Sequence, residues 1–203
     1  EPRDHVELGR ILGAIDLDTF IPERLAYKLR VPMEKAYMVG DGNQKPLGVF
    51  TADANGISTA RDVTSSATAF IWDDLVDVQE KLKANYQDQA VWLGHRDFYA
   101  LCRKIKDGDG LPIWLGARAG QPTTLMGRPA IRSEFEPDTF TSGNYACVYG
   151  ALKAGYMIVD GMGVEVQRLN ELGALRKQVL YLASASSDGM PVLEEAFSRM
   201  KLA

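Results

Sequence analysis

The feature that most limits the possible folds is a long run of apolar and charged residues, about residues 16–38. Its apolar side chains recur at steps of three and four, with charged residues between them. They are Leu17, Ile21, Leu25, Leu29, Ala36 and Tyr37. This spacing predicts one long amphipathic helix with Asp18 as its N-cap and Pro22 in its first turn. Pro32 lies inside the pattern, and we expect it to bend the helix or end it near residues 29–31.

After this segment the pattern changes from helical to extended. A turn-rich run at residues 40–48 ends the first helix, and two further helices are predicted at about 68–86 and 95–105. The apolar residues that these two helices are expected to bury are Ile71, Leu75, Val78, Leu82 and Tyr86 in the first and Phe98, Leu101 and Cys102 in the second. Short strands are predicted at residues 90–93, 112–115, 123–126, 129–131, 146–149, 154–159 and 164–167. Because helices come first and strands later, the predicted fold class is α+β rather than a repeated βαβ unit.

Composition and charge narrow the classes of function. The chain has 203 residues and a net charge of −4, with a pI near 5.3, so it lacks the basic surface of a protein that grips nucleic acid. A chain of this length can bury a sizeable core without crosslinks, and we expect Cys102 and Cys147 to be reduced thiols. No apolar run reaches the roughly 18 residues of a membrane span, so no membrane partner is expected.

A search for known catalytic and ligand-binding sequence motifs assigns no catalytic, cofactor-binding or metal-binding residue. The sequence has no phosphate-binding loop, no Gly-x-Ser-x-Gly turn and only two histidines, His5 and His95. We interpret His95 as a structural residue where a strand turns into a helix. Residues 107–110 read Asp-Gly-Asp-Gly but lack the later ligands of a calcium loop, which predicts a solvated turn. The three tryptophans are predicted to pack in the core: Trp72, Trp92 and Trp114.

A series of short motifs follows the first helix in a characteristic order. It opens with Tyr-Met-Val-Gly-Asp-Gly at residues 37–42 and includes Lys-Asp-Gly-Asp-Gly-Leu-Pro-Ile-Trp at residues 106–114. The other motifs lie at residues 46–49, 71–75, 90–94, 124–131, 148–150, 155–160 and 187–189. The series resembles the major capsid proteins of tailed bacteriophages, which have the Hong Kong phage shell fold, over about residues 15–200.

The resemblance implies a division of the chain into two domains. A peripheral domain would take residues 1–48 and 163–187, and an axial domain would take residues 49–162 and 188–203. The first helix would be the spine of the peripheral domain, and residues 115–121 would lie near the axis of the capsomer. The chain departs from the usual family pattern at Ala151, at Ser186-Ser187 and at Pro32.

The implied function is structural rather than enzymatic. The chain is expected to be a major capsid subunit that assembles with its own copies into hexamers and pentamers of an icosahedral shell around DNA. Further implied partners are a scaffolding segment, a prohead protease, a portal and packaged DNA bound without sequence specificity. The implied location is the virion, after assembly in the cytoplasm of a bacterial host.

The family also carries an N-terminal arm and an extended hairpin loop before the spine. The chain begins at Glu1, so we expect most of that region to be missing. We therefore expect the 203 residues alone to stay a monomer or small oligomer. Because the crosslinking lysine of some relatives lies in that loop, no crosslinking residue is assigned.

Three alternatives remain open from the sequence. The nearest is an encapsulin-type nanocompartment, which shares the fold and encloses enzymes instead of DNA. The second is an enzyme with a site assembled from scattered carboxylates such as Asp41, Asp109 and Asp160. The third is a monomeric binding module.

Overall fold

A computed structural model describes residues 17–65, 71–114, 123–172, 176 and 179–203. The helices are α1 Leu17–Val39, α2 Trp72–Lys81, α3 Ala84–Gln87, α4 Arg96–Lys104 and α5 Leu152–Gly155, with short 3₁₀ turns at Thr59–Arg61 and Glu194–Ala196. The strands are β1 Asp62–Thr64, β2 Val91–Gly94, β3 Thr124–Leu125, β4 Arg128–Arg132, β5 Tyr145–Gly150, β6 Tyr156–Leu169, β7 Leu180–Pro191 and β8 Phe197–Lys201. This mixture of elements confirms the α+β class.

The chain divides into two compact units. Of the described residues, those up to Met33 and those from Val159 to Asp188 form unit 1. Unit 2 consists of residues 34–158 and 189–203. The boundaries between the two units fall within α1 and within each of the paired strands β6 and β7.

Unit 2 is built on a mixed sheet of six strands in the order β1-β8-β5-β2-β4-β3. The central strands β5 and β8 run antiparallel, whereas β1 pairs with β8 and β4 with β2 in parallel. On β2 and β5, Trp92 and Tyr149 are cross-strand partners whose ring centroids are 4.6 Å apart. Both side chains are fully buried, so the middle of this sheet is the centre of the core.

The helices of unit 2 cover this sheet with the apolar positions that their periodicity predicts. Leu75, Val78 and Leu82 are buried, as the steps of three and four require. The predicted second helix is nevertheless interrupted: α2 ends at Lys81 and a separate turn of helix, α3, carries the half-buried Tyr86. The expected stripe is also wrong at its start, since Ile71 is 45% exposed at the N-cap of α2.

A buried ion pair joins the edge of the sheet to the loop before it. The guanidinium of Arg199 on β8 is fully buried and lies 2.7 Å from the carboxylate of Asp62 on β1. It also donates hydrogen bonds to the carbonyl oxygens of Thr51 and Ser58. The ring of Tyr145 lies under the same guanidinium, and its hydroxyl donates to Asp62. This network fixes β1, β5, β8 and residues 51–58 to one another.

The prediction that α1 ends near Pro32 is wrong, whereas the alternative, a bend at that residue, stays a prediction. The helix continues without interruption from Leu17 to Val39 and contains both Pro22 and Pro32. A proline removes a single amide donor from the hydrogen-bond ladder, and the turns on both sides of it still hold the helix. Because the helix begins at Leu17, Asp18 lies in its first turn rather than at the N-cap, and Pro22 lies in the second turn.

Three predicted strands need correction. Residues 112–114 form only an isolated bridge, between Pro112 and Lys106, and Leu115 lies outside the described residues. The separate strands expected at 154–159 and 164–167 are one long strand, β6, which the short helix α5 precedes. The glycines between them, Gly161 and Gly163, lie inside the strand.

Candidate functional site

The three carboxylates named above as a possible enzymatic site lie at the surface of the described part of the chain. Asp41, Asp109 and Asp160 are all exposed to solvent. Asp41 accepts a hydrogen bond from the amide of Asn43 and pairs with Lys45, and these contacts lower the pKa of its carboxyl group. Within the described ranges, no group of three or more His, Cys, Asp or Glu side chains is arranged to hold a metal ion.

The other candidate motifs also have structural roles. The Nδ1 atom of His95 accepts a hydrogen bond from the amide of Asp97 at the start of α4, which confirms the capping interpretation. The carboxylate of Asp107 accepts hydrogen bonds from the amides of Asp109 and Leu111, so residues 107–110 form the predicted turn. None of the helices in the described part of the chain has the length and apolar character needed to cross a bilayer.

The buried tryptophans and cysteines belong to the core of unit 2. Trp92 is fully buried, Trp114 is 9% exposed and donates a hydrogen bond to Thr124, and Trp72 packs against the same core. Cys102 and Cys147 are buried free thiols. These positions confirm the core assignment of the tryptophans.

The described part of unit 1 differs from unit 2 in having no buried residue. Residues 19–33 and the described residues between 159 and 188 are all either half-buried or exposed. All buried side chains in the described part of the chain belong to unit 2. The apolar stripe of α1 reflects this: Ile21, Leu25 and Leu29 are only half-buried. Such an element gains little hydrophobic stabilisation from its own chain.

The two long strands of unit 1 expose apolar side chains along their length. We call these residues the hairpin patch: Val159, Met162 and Val164 on β6, and Leu180 and Leu182 on β7. Their exposed fractions run from 38% to 58%. An isolated two-stranded sheet is marginally stable in water, and exposed apolar side chains on such a sheet indicate a contact site for another molecule. Sequence periodicity did not identify this patch, because alternation gives no information on which face is covered.

A second surface of unit 1 lies on α1. The guanidinium of Arg24 is 5.9 Å from the ring centroid of Phe20 and 5.8 Å from that of Tyr27. Both rings are substantially exposed, at 42% and 56%. Aromatic and arginine side chains are enriched at protein interfaces, and this cluster adds a second candidate contact on unit 1.

Unit 2 carries an apolar cavity of about 340 Å³. Tyr37 and Met38 of α1 form one wall, and Leu93 and Tyr156 line it further. Lys153 is the one charged residue that lines it within the described residues. The cavity contains no pair of acid and base groups, so its chemistry is that of a packing surface rather than a catalytic pocket.

Unit 2 also contains a buried acidic side chain that no sequence pattern predicted. Glu136 lies in the loop after β4 and is 4% exposed, and neither of its carboxylate oxygens has a hydrogen-bond partner among the described residues. Burial, and next the carboxylate of Glu34, raises the pKa of Glu136 to about 9. The stretch 115–121, which we expected near a capsomer axis, lies outside the described residues.

Comparison with known proteins gives one family and one fold. The model of the phage capsid family matches residues 13–202. The capsid proteins of an empty and of a native GTA particle each have 29% sequence identity and a TM-score of 0.80 over 93% of this chain. The chain spans about two thirds of their length, 67% and 66%. No curated protein matches the sequence.

More distant structures share the fold alone. A chain of Gordonia phage Cozz has 16% identity and a TM-score of 0.62, with 98% of this chain and 66% of that chain covered. A chain of the SrpI encapsulin complex from Synechococcus elongatus has 19% identity and a TM-score of 0.61, with 88% of this chain and 63% of that chain covered. These matches confirm the expected fold.

Proposed function

The chain belongs to the phage capsid family, and from this premise we propose that it is the repeating subunit of an icosahedral capsid shell. Its task is mechanical: identical copies place the same surfaces in near-equivalent environments and close a container. Each contact is modest, and the number of contacts makes the shell stable.

The observation that carries this proposal is the exposure of unit 1 in its described part. Residues 19–33 and the described residues between 159 and 188 are all half-buried or exposed and include the hairpin patch, so this part of the unit needs further apolar surface to become stable. Neighbouring copies of the same chain supply that surface in a shell. A free enzyme or a monomeric binding module has no comparable reason to leave this patch open.

We assign unit 1 to the peripheral domain and unit 2 to the axial domain. In this assignment α1 is shared, because its residues up to Met33 belong to unit 1 and its later residues belong to unit 2. The axial domain then contains the whole six-stranded sheet and its core, which suits a rigid wedge around the centre of a capsomer.

The proposed partners follow the family. Copies of the chain form hexamers and pentamers, and a scaffolding segment, a prohead protease and a portal act during assembly in the bacterial cytoplasm. DNA is the proposed content. The net charge of −4 disfavours strong adhesion of DNA to the wall, which suits a container that must release its genome.

An encapsulin-type shell remains the second candidate function, because the SrpI encapsulin has the same fold as this chain. The GTA capsid proteins have the higher identity, 29% against 19%, and so favour a capsid over a nanocompartment. The contents of particles purified from the native source distinguish the two: nuclease-protected DNA supports a capsid, and an enclosed enzyme supports a nanocompartment.

The role of the hairpin patch is tested by placing a charge on it. Leu182→Asp in the complete gene product is expected to abolish shell formation, since a buried unpaired carboxylate opposes association. The matched control is Leu111→Asp. Leu111 belongs to unit 2, directly follows the turn at residues 107–110 and is 63% exposed.

Sedimentation velocity and electron microscopy measure the outcome. The proposal predicts shells from the wild type and from Leu111→Asp, and only small species from Leu182→Asp. Shells of normal yield from Leu182→Asp would show that the hairpin patch is not an assembly contact.

A further inference from the structure

The loop between β4 and β5 turns a carboxylate into the interior of unit 2. Glu136 is 4% exposed, and both of its oxygens lack a hydrogen-bond partner among the described residues. Glu134 in the same loop is exposed, as acidic side chains usually are, and its Oε2 atom lies 3.5 Å from Nε of Arg96 and 3.5 Å from Nε2 of His95. The loop therefore buries one acid and leaves the other in solvent.

A second carboxylate lies beside the buried one. Glu34 of α1 accepts a hydrogen bond from the hydroxyl of Ser133, with 3.0 Å between the oxygen atoms. It is also close enough to Glu136 to influence that carboxyl electrostatically. Ser133 is itself 8% exposed, and its hydroxyl oxygen accepts a hydrogen bond from the amide of Phe135. Two carboxylates and one hydroxyl thus converge from α1 and from the loop after β4.

Burial and the carboxylate of Glu34 raise the pKa of Glu136, and no positive group in the described part of the chain opposes them. Glu136 in turn acts on Tyr99 and Cys147, which are both acids, and the guanidinium of Arg132 lies over the ring of Tyr99, 5.6 Å from its centroid. The hydroxyl of Tyr99 is already donated to the carbonyl oxygens of Trp92 and Ile131. A buried carboxyl group with unpaired oxygens is costly, and an adjacent carboxylate increases the cost. A bound cation would compensate both carboxylates at once.

We propose that Glu34, Ser133 and Glu136 form a binding site for a divalent cation, and that Ca²⁺ is the ion that fits it best. The donors are all hard oxygen atoms, which Ca²⁺ and Mg²⁺ prefer. Ca²⁺ accepts a bidentate carboxylate and an irregular shell completed by water, whereas Mg²⁺ requires near-ideal octahedral geometry. Glu136 offers both oxygens, Glu34 offers the oxygen that Ser133 does not use, and Ser133 offers a remaining lone pair.

The site would link two parts of unit 2 that are distant in sequence. Glu34 lies on α1, and Ser133 and Glu136 lie in the loop that leaves the six-stranded sheet at β4. With only three protein groups, the expected dissociation constant is weak, about 10⁻⁴–10⁻³ M. Bound Ca²⁺ would therefore stabilise the attachment of α1 to the sheet at millimolar concentrations of the ion.

Calorimetric titration of the whole chain with CaCl₂, after removal of metal with a chelator, tests the proposal. The wild type is expected to bind one Ca²⁺ per chain, and Glu136→Gln, which keeps the shape of the side chain, is expected to lose at least about tenfold in affinity. Glu134→Gln is the matched control, because it removes an exposed carboxylate from the same loop and is expected to bind Ca²⁺ like the wild type.

Thermal unfolding gives an independent readout. Millimolar Ca²⁺ is expected to raise the midpoint of the wild type and of Glu134→Gln, and not that of Glu136→Gln. If Glu136→Gln does not fold, Glu34→Gln takes its place, since that change lies at the exposed side of the cluster. Absence of Ca²⁺ binding by the wild type, or equal binding by wild type, Glu136→Gln and Glu34→Gln, would overturn the proposal.

Discussion

Replacing Arg199 with methionine is expected to lower the free energy of unfolding of unit 2 by about 3–5 kcal/mol. The guanidinium is fully buried, and both Nε and Nη2 contact one carboxylate oxygen of Asp62, at 2.8 and 2.7 Å. Methionine fills much of the same volume but donates no hydrogen bond. The change therefore leaves the carboxylate of Asp62, which is 7% exposed, without its cation, while the hydroxyl of Tyr145 still donates a hydrogen bond to it.

The magnitude follows from the groups left behind. Beyond the carboxylate, the carbonyl oxygens of Thr51 and Ser58 lose their donors, at 2.9 and 3.1 Å in the folded protein. Each buried acceptor without a donor costs about 1–3 kcal/mol. A domain is stable by only about 5–15 kcal/mol, so the variant is expected to be near the limit of folding at room temperature.

Urea unfolding followed by tryptophan fluorescence measures the effect. Arg128→Met is the control, because Arg128 pairs with the exposed Asp88 at the surface and is expected to cost less than about 1 kcal/mol. Adding Asp62→Asn to Arg199→Met removes the orphaned charge and is expected to restore about 1–3 kcal/mol. An Arg199→Met variant within about 1 kcal/mol of the wild type would refute the reasoning.

Leu75→Ala is expected to lower the free energy of unfolding by about 2–5 kcal/mol in the same assay, because the side chain is fully buried; a smaller loss would mean that the helix is not packed there. Gly48→Ala is expected to lower the melting temperature, since its Cβ would lie 2.5 Å from a backbone oxygen at the end of α1. Gly163→Ala, with no atom within 4 Å, is its control and should melt like the wild type. Burial raises the pKa of Cys102 from 9.0 to about 12, so the fraction of thiolate at pH 8 should be about 1,000-fold lower than for an exposed cysteine. Labelling of Cys102 by a thiol reagent should therefore require unfolding, and fast labelling of the native protein would contradict this.

The sequence alone predicted those parts of the fold that depend on local periodicity. The burial of Leu75, Val78 and Leu82, the long helix α1 and the buried strand at β2 all follow from the spacing of apolar residues. The same reasoning failed at Leu101, which was expected to be buried and is 36% exposed, while the adjacent Tyr99 is buried. Tyr99 replaces it because its hydroxyl finds two carbonyl acceptors inside the core.

The groups that matter most for stability were not visible in the sequence. Arg199 meets a carboxylate 137 positions away, and Ser133 meets Glu34 across 99 positions. No periodicity encodes such distant pairs: the pairing of β1 with β8 brings Arg199 to Asp62, and the contact of α1 with the loop after β4 brings Glu34 to Ser133. The exposure of the described part of unit 1 was equally hidden, since the apolar spacing of α1 is the same whether or not a neighbour covers it.

The central claim, that copies of this chain cover the exposed apolar surface of unit 1, is tested most directly by electron cryomicroscopy. The sample is the complete gene product, expressed without any other phage protein. The account predicts uniform, closed, hollow particles in which Leu180 and Leu182 of one subunit are buried against another subunit. A compact monomer or small oligomer that leaves these leucines in solvent would contradict it.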